Sequence, residues 1–212
     1  MSPRPELVGV LNADELQATG EHLASLQLDS GMIPWFPGGH CDPWNHVETA
    51  MALDVAGFHD EAERAYEWLA ATQRPDGSWH AGVCHHLKST WDRGFADNLW
   101  PTVERALDFV LSLRRPDGLP LWAIEPDGRP WGYALLTGTA SIQHALRCGA
   151  ALGRLLGSER PDWIDAADVM ADVIRDDPSA FEPKTRWAMD WYYPVLTGVL
   201  TGEAAKARLA AG

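Results

Sequence analysis

Basic residues are scarce in this chain. Seventeen Lys and Arg stand against 30 Asp and Glu, a formal net charge of -13 and a pI near 4.9. Phosphate backbones and anionic headgroups are held by clustered Lys and Arg, so the charge argues against nucleic acid or an anionic membrane as a main partner. Long apolar runs are also missing. None approaches the roughly 18 residues that a membrane-spanning helix needs. The N-terminal stretch MSPRPELVGVLNADE has no continuous apolar segment, so no signal peptide is expected. Cysteine is limited to Cys41, Cys84 and Cys148. An odd, widely spaced set fits a reduced, cytoplasmic chain better than a disulfide framework. The alternation of apolar and polar residues that marks β-strands is found nowhere. Phe and Tyr number only 5 and 4, whereas Trp reaches 11, and this excess is the most unusual feature of the composition.

What is present is a helical hydrophobic period almost throughout. Asn12, with Glu15 three residues on, predicts a capping box opening a helix that runs to about Leu28. The stretch HVETAMALDVAG predicts a second helix from His46 to Gly57. Asp60 with Glu63 predicts a second capping box, above an apolar face of Ala62, Ala65, Tyr66 and Leu69. A short helix is expected around VCHHLKSTW. Pro101 is expected to open the next, at the one turn where proline is tolerated, with a stripe of Val103, Leu107, Val110 and Leu111. TASIQHALRCGAALGRLLG is small or apolar most of the way round, which predicts a buried helix. Pro161 opens another through Ile174, and MDWYYPVLTGVL and EAAKARLAA complete the chain.

One helix ending recurs. QLDSGMIPWF starts at Gln27, QRPDGSWH at Gln73 and RRPDGLPLWA at Arg114. The turn glycines Gly31, Gly77 and Gly118 lie 41 to 46 residues apart, a period that predicts stacked helical hairpins. The long connections all lead from a half-polar helix to a more uniformly apolar one, and the reverse connections are short. Seven of the 11 Trp (Trp35, Trp44, Trp79, Trp122, Trp131, Trp187 and Trp191) lie in or beside those long connections or the like turn after Gln73. Antiparallel hairpins would collect them at one aromatic-lined end.

The QRPDGSW stretch resembles the Gln-to-Trp repeat of the squalene-cyclase and prenyltransferase superfamily. The wider stretches GMIPWFPGGHCDPWNHVETAMALDVAG, RPWGYALLTGTASIQHALRCGAALG and RWAMDWYYPVLTG look like actinobacterial prenyltransferase-like proteins. The resemblance implies an all-α fold of the α/α toroid type. A closed toroid of that kind has about six hairpins, and this chain has about four and a half. The expectation is therefore a single domain over residues 1–212 that forms an incomplete toroid, with homo-oligomerisation as one way of closing its core. The implied activity is transferase or cyclase chemistry on an isoprenoid (terpenoid) or other apolar small molecule. The D-x-D-D and D-D-x-x-D motifs of standard terpene cyclases are absent, and DDPSA at Asp176 is not such a motif.

Two other functions fit the same residues. One is a carbohydrate-active α/α-barrel enzyme, in which Trp and Tyr hold pyranose rings and paired carboxylates supply acid and base. The other is a non-catalytic helical scaffold whose Trp pack between hairpins. Cys84, His85, His86, His40 and Cys41 are zinc-type ligands, but adjacent ligands rarely reach one metal, so no metal and no cofactor is expected. Asp42 and Asp190 are the candidate catalytic acids, since aromatics or prolines flank each one. His46 is a candidate proton shuttle beside Glu48. Trp35, Trp44, Trp79, Trp131, Tyr133, Trp187, Trp191 and Tyr192 are the candidate binding surface for a small-molecule ligand. Asp76 and Asp117 read as turn residues, Asp162, Asp165, Asp168 and Asp172 as a solvated helix flank, and His144 as a core histidine.

Overall fold

The computed structural model describes residues 9–77, 93–125, 127–184 and 189–211. These residues are all-α, of the helical-hairpin kind found in α/α toroids, with eight α-helices and no strand among them. The helices are α1 (Ala13–Leu26), α2 (Pro43–Ala56), α3 (His59–Thr72), α4 (Arg93–Ser112), α5 (Leu136–Leu156), α6 (Pro161–Asp176), α7 (Met189–Leu196) and α8 (Gly202–Ala210). The short helix expected around VCHHLKSTW lies outside the described residues. None of the described helices is long and apolar enough to cross a membrane. The chain contacts divide into two compact units, Met1–Ala106 and Leu107–Gly212.

In the first unit α1 packs on α2 and α2 on α3. The Asn12 capping box forms as expected: Asn12 Oδ1 accepts the Glu15 N–H and Glu15 Oε2 accepts the Asn12 N–H, both at 2.9 Å. Helix α2 begins a turn earlier than its apolar period indicates. Asp42 is its N-cap and Pro43 its first residue, where the missing proline N–H costs nothing. Helix α3 lacks the expected Asp60–Glu63 box. Its N-cap is Phe58, which has no side-chain bond, and Asp60 already lies in the first helical turn. The cause is packing. A Cβ on Gly20 of α1 would lie 2.5 Å from the Phe58 ring and 2.6 Å from Ala56, so the bare glycine backbone lets Phe58 seat against α1, and α3 starts directly after it. The expected apolar face of α3 is buried at Ala62, Ala65, Tyr66 and Leu69.

Pro101 does not open a helix; it lies inside α4. Upstream of it, Phe95, Ala96 and Leu99 continue the buried stripe of Val103, Ala106 and Leu107. Burying those residues outweighs one missing N–H, and the exposed position of Pro101 leaves the affected carbonyl accessible to water.

The repeated helix ending is a lock between helices. Gln27 and Gln73 are the C-caps of α1 and α3. Gln27 Nε2 donates to Gly31 O at 3.0 Å and to Glu61 O of α3 at 2.8 Å, and Gln27 Oε1 accepts from Arg64 at 2.9 Å. Gln73 repeats the pattern with Gly77 O at 3.4 Å, Thr102 O of α4 at 2.8 Å, and Arg105 at 2.7 and 3.0 Å. Gly31 and Gly77 hold φ of 91° and 87°, and a Cβ on either would overlap the backbone carbonyl of Arg64 or Arg105. Glycine is required twice over, by the left-handed backbone and by the close approach.

In the second unit α5 packs on α6 and on α7, and α7 on α8. Gly149 of α5 lies where a Cβ would sit 2.9 Å from the Trp163 ring. Trp163 is fully buried, donates its indole N–H to Asp108 at 3.0 Å, and carries the Arg160 guanidinium 4.1 Å above its ring. The third turn keeps its backbone form, with Gly118 N–H donating to Arg115 O at 2.9 Å, but not the lock. Arg114 stands where the other turns have Gln, and the Gly118 position faces the Val169 side chain instead of a carbonyl. Asp162, Asp168 and Asp172 form the expected solvated flank of α6, paired with Arg160, Arg147 and Arg175. His144, expected in the core, is exposed on α5 beside Cys148. Small residues, Gly149 and Ala150 among them, carry the buried side of that helix, which leaves His144 facing outward.

The connection before α5 folds back on itself. Isolated bridges join Arg114 to Pro120 and Ile124 to Pro130. Near its tip the Gly128 N–H bonds to Glu125 O at 2.9 Å, with Gly128 at a φ of 85°, as in the other turns.

Candidate functional site

In the first unit the candidate residues gather where the loop after Gly31 enters α2. Asp42 Oδ1 accepts the Asn45 N–H at 3.0 Å. Its Oδ2 accepts Asn45 Nδ2 at 2.7 Å and the Trp35 indole N–H. Burial raises the Asp42 pKa, but the bonds from Asn45, from Trp35 and from the Trp44 backbone outweigh it, and the net value lies below the ordinary carboxylate range. Asp42 is therefore an ionised carboxylate near neutral pH, contrary to the raised value expected of a proton-donating acid. Trp35 is 57% exposed, with its ring 5.1 Å from that of His40. Trp44 is half-buried in the first turn of α2, and Glu48 is exposed on the same helix. Burial, then the charge of Asp42, pushes the Cys41 thiol up to about 11, so it stays protonated and unreactive at neutral pH.

His46 was expected to shuttle protons, and its surroundings correct that reading. The ring is buried, accepts the Ile33 N–H on Nδ1 at 3.2 Å, and donates from Nε2 to Ala65 O at 2.9 Å. It also packs on Trp68, with ring centroids 4.9 Å apart. Both nitrogens are committed to backbone groups, so His46 positions the Ile33 loop and has neither nitrogen left for a substrate.

In the second unit the candidates meet the N-terminal end of α5. That helix has no side-chain cap of its own at Leu135. Asp190, from the start of α7, supplies one: its Oδ1 accepts the Thr137 N–H at 3.1 Å and the Thr137 hydroxyl. The Arg208 side chain donates to the carbonyls of Asp190 and Trp191 at 2.9 and 3.1 Å, fixing that turn. Trp191 lies 5.5 Å from Tyr192. Cross-strand pairing of Ile124 with Pro130 puts Trp131 and Tyr133 on one face of the folded-back connection and Trp122 and Ile124 on the other. Trp131 and Tyr133 are in contact at 5.5 Å, and Lys184 lies 5.1 Å over Tyr133. The Glu182 N–H bonds to Ala134 O at 3.0 Å, which holds Lys184 there. Trp79 and Trp187 lie outside the described residues, as do Cys84, His85 and His86. Among the described residues no three His, Cys, Asp or Glu are grouped to hold a metal ion.

Asn45, Thr137 and Lys184 were not singled out from sequence. For Asn45 a signal existed: it stands three residues after an Asp that is followed by proline, the place where a helix N-cap finds its partner. The bonds of Thr137 and Lys184 join segments 53 and about 50 residues apart and leave no local pattern.

The chain matches no established family profile. It is 44% identical over 227 aligned positions to a protein of Mycolicibacterium hassiacum described as an MMP endo-(1,4)-3-O-methyl-alpha-D-mannosidase. That alignment takes in 97% of this chain, and the chain spans 63% of the length of that relative. Among solved structures, a rhamnosidase from Klebsiella oxytoca with rhamnose bound shares the fold at a TM-score of 0.64 and 17% identity, over 94% of this chain and 47% of the rhamnosidase. Both are glycosidases. These similarities overturn the expected membership of the squalene-cyclase and prenyltransferase superfamily, and with it the transferase and terpenoid expectations. The Gln-to-Trp endings that prompted them are a helix-locking device, and such a device says nothing of the reaction.

Proposed function

We propose that this chain is a glycosidase domain acting on α-linked mannose, with O-methylated mannose as the preferred unit. The observation that supports this most is the 44% identity, along 97% of the chain, to an endo-mannosidase of O-methylated mannose. The local chemistry agrees with it. Glycoside hydrolysis uses two carboxylates in unlike protonation states. Asp42 has the properties of the ionised member, the nucleophile or general base, because its hydrogen bonds hold the charge in place. Glu48, exposed on the helix that Asp42 caps, is the proposed source of the second carboxylate. In the first unit Trp35 and Trp44, and separately in the second Trp131, Tyr133, Trp191 and Tyr192, are the proposed aromatic faces, of the kind on which pyranose rings stack.

The test is release of reducing ends from α-(1,4)-linked 3-O-methylmannose oligosaccharides. Asp42→Asn should lower kcat by about 10²- to 10⁴-fold, the range for loss of one acid–base group, with little change in KM. Full activity in Asp42→Asn would remove Asp42 from the mechanism. No hydrolysis by the wild-type chain would reject the reading itself.

A further inference from the structure

We infer that the cleft beside Trp35 is a subsite for one partly O-methylated pyranose ring, seated with a methyl group on the cleft floor; this rests on the glycosidase reading above. The cleft measures about 250 Å³ and lies within the first unit, between α1, the loop at Ile33 and α2. Small-molecule sites for drug-sized ligands span about 300–1,000 Å³, so this one holds a single ring.

Its lining specifies which ring. The floor is apolar, made by Leu23 and Leu26 of α1 with the buried Ile33 and Pro34. One wall is the exposed face of Trp35, whose orientation is set by its indole N–H on Asp42. The rim is polar, from Asn45 and Thr49 of α2. The Thr49 hydroxyl proton is engaged on Asn45 O at 2.7 Å, and one of the two Asn45 Nδ2 protons on Asp42. What the rim offers a ligand is acceptor oxygen, on the Asn45 side-chain carbonyl and the Thr49 hydroxyl, together with the second Asn45 amide proton. Sugar hydroxyls, which both donate and accept, match that set. The neighbouring ionised Asp42 disfavours a carboxylate or phosphate. An unmodified sugar would set a hydroxyl on Leu23 and Leu26 without a partner, at a cost. A methyl ether removes that donor and adds apolar contact. Hydroxyl donors on one edge and a methyl group on the other describe a partly methylated hexose.

Calorimetric titration with D-mannose and with 3-O-methyl-D-mannose tests this. The wild type should bind the methylated sugar about fourfold tighter, the equivalent of one buried methyl. Leu26→Asn should erase that preference while keeping the affinity for mannose, and Trp35→Ala should weaken both sugars by roughly tenfold. Circular dichroism checks that the variants fold, and Leu23→Asn substitutes if Leu26→Asn does not. Equal binding of the two sugars by wild type, or a preference that survives the leucine substitution, would overturn the subsite. Hydrolysis measured on the same wild-type preparation separates the two inferences. Active protein without a methyl preference sinks the subsite alone. A methyl preference that depends on Leu26, in protein that never hydrolyses mannosides, upholds the subsite and sinks the glycosidase reading.

Discussion

The imidazole of His46 receives the Ile33 amide proton and gives its own to Ala65 O, which fixes it as the neutral Nε2–H tautomer. Burial, the larger cause, then lowers its pKa, and the bond to Ala65 O and the charge of Asp42 only partly oppose this. The consequence for stability has a definite sign. An exposed histidine in the unfolded chain takes up its proton near 6.5, while the folded chain resists until a lower pH. As pH falls through about 6.5 the unfolded state binds more protons, so stability is full above that value and declines below it. Asp42 does not confuse the measurement, since its pKa lies below the ordinary carboxylate range and its contribution persists until more acid conditions. Urea unfolding of wild type should show a midpoint that drops between pH 7 and 5, and His46→Gln should flatten that slope. An unchanged slope in the variant would assign the acid sensitivity to another group.

At the level of elements, α4 offers the sharpest test, because it runs through a proline. Pro101 removes one helical hydrogen bond at an exposed position while the buried stripe on either side holds the helix together. Pro101→Ala should restore the bond to the Asp97 carbonyl and raise stability by about 2 kcal/mol, read as a higher urea midpoint at unchanged m-value. A loss of stability would mean that the proline ring itself packs. Pro101 also shows where sequence reading stops. Position by position, a proline that opens a helix and a proline tolerated inside one look alike, and the difference lies in whether Phe95, Ala96 and Leu99 are buried. Asp60 carried a correct capping pattern and lost to the seating of Phe58 on Gly20. The Asn12 box, the Gly57 and Gly157 ends and the Pro161 start were legible because each is settled within a few residues. Among the candidate site residues the same limit holds. Trp35 and Asp42, seven residues apart, do meet. The direction in which the His46 ring points is set by Ala65, 19 residues on, and no local pattern records it. The reaction was legible only as alternatives, because helix locks and aromatic rings serve an isoprenoid and a sugar equally well; the similarities favour the carbohydrate-active alternative over the leading reading.

For the molecule as a whole, charge is the property that most constrains partners. The formal charge of -13 is spread over a surface where much of the arginine is already engaged: Arg64 with Glu61, Arg115 with Asp117, Arg147 with Asp168, Arg160 with Asp108 and Arg175 with Asp172. Polyanions should find no foothold. Gel-shift titration with duplex DNA at low salt should show no retained complex at micromolar protein, and a salt-sensitive shift would reveal a basic patch. The third helix ending has a consequence of another kind. At Gly31 and Gly77 the turn is wedged against a backbone carbonyl. At Gly118 it rests on a valine side chain that can give way, and there the connection has grown into a folded-back arm bearing Trp122 and Trp131. That makes the segment after Gly118 the natural graft point of the fold: foreign loops should be accepted there, and refused after Gly31.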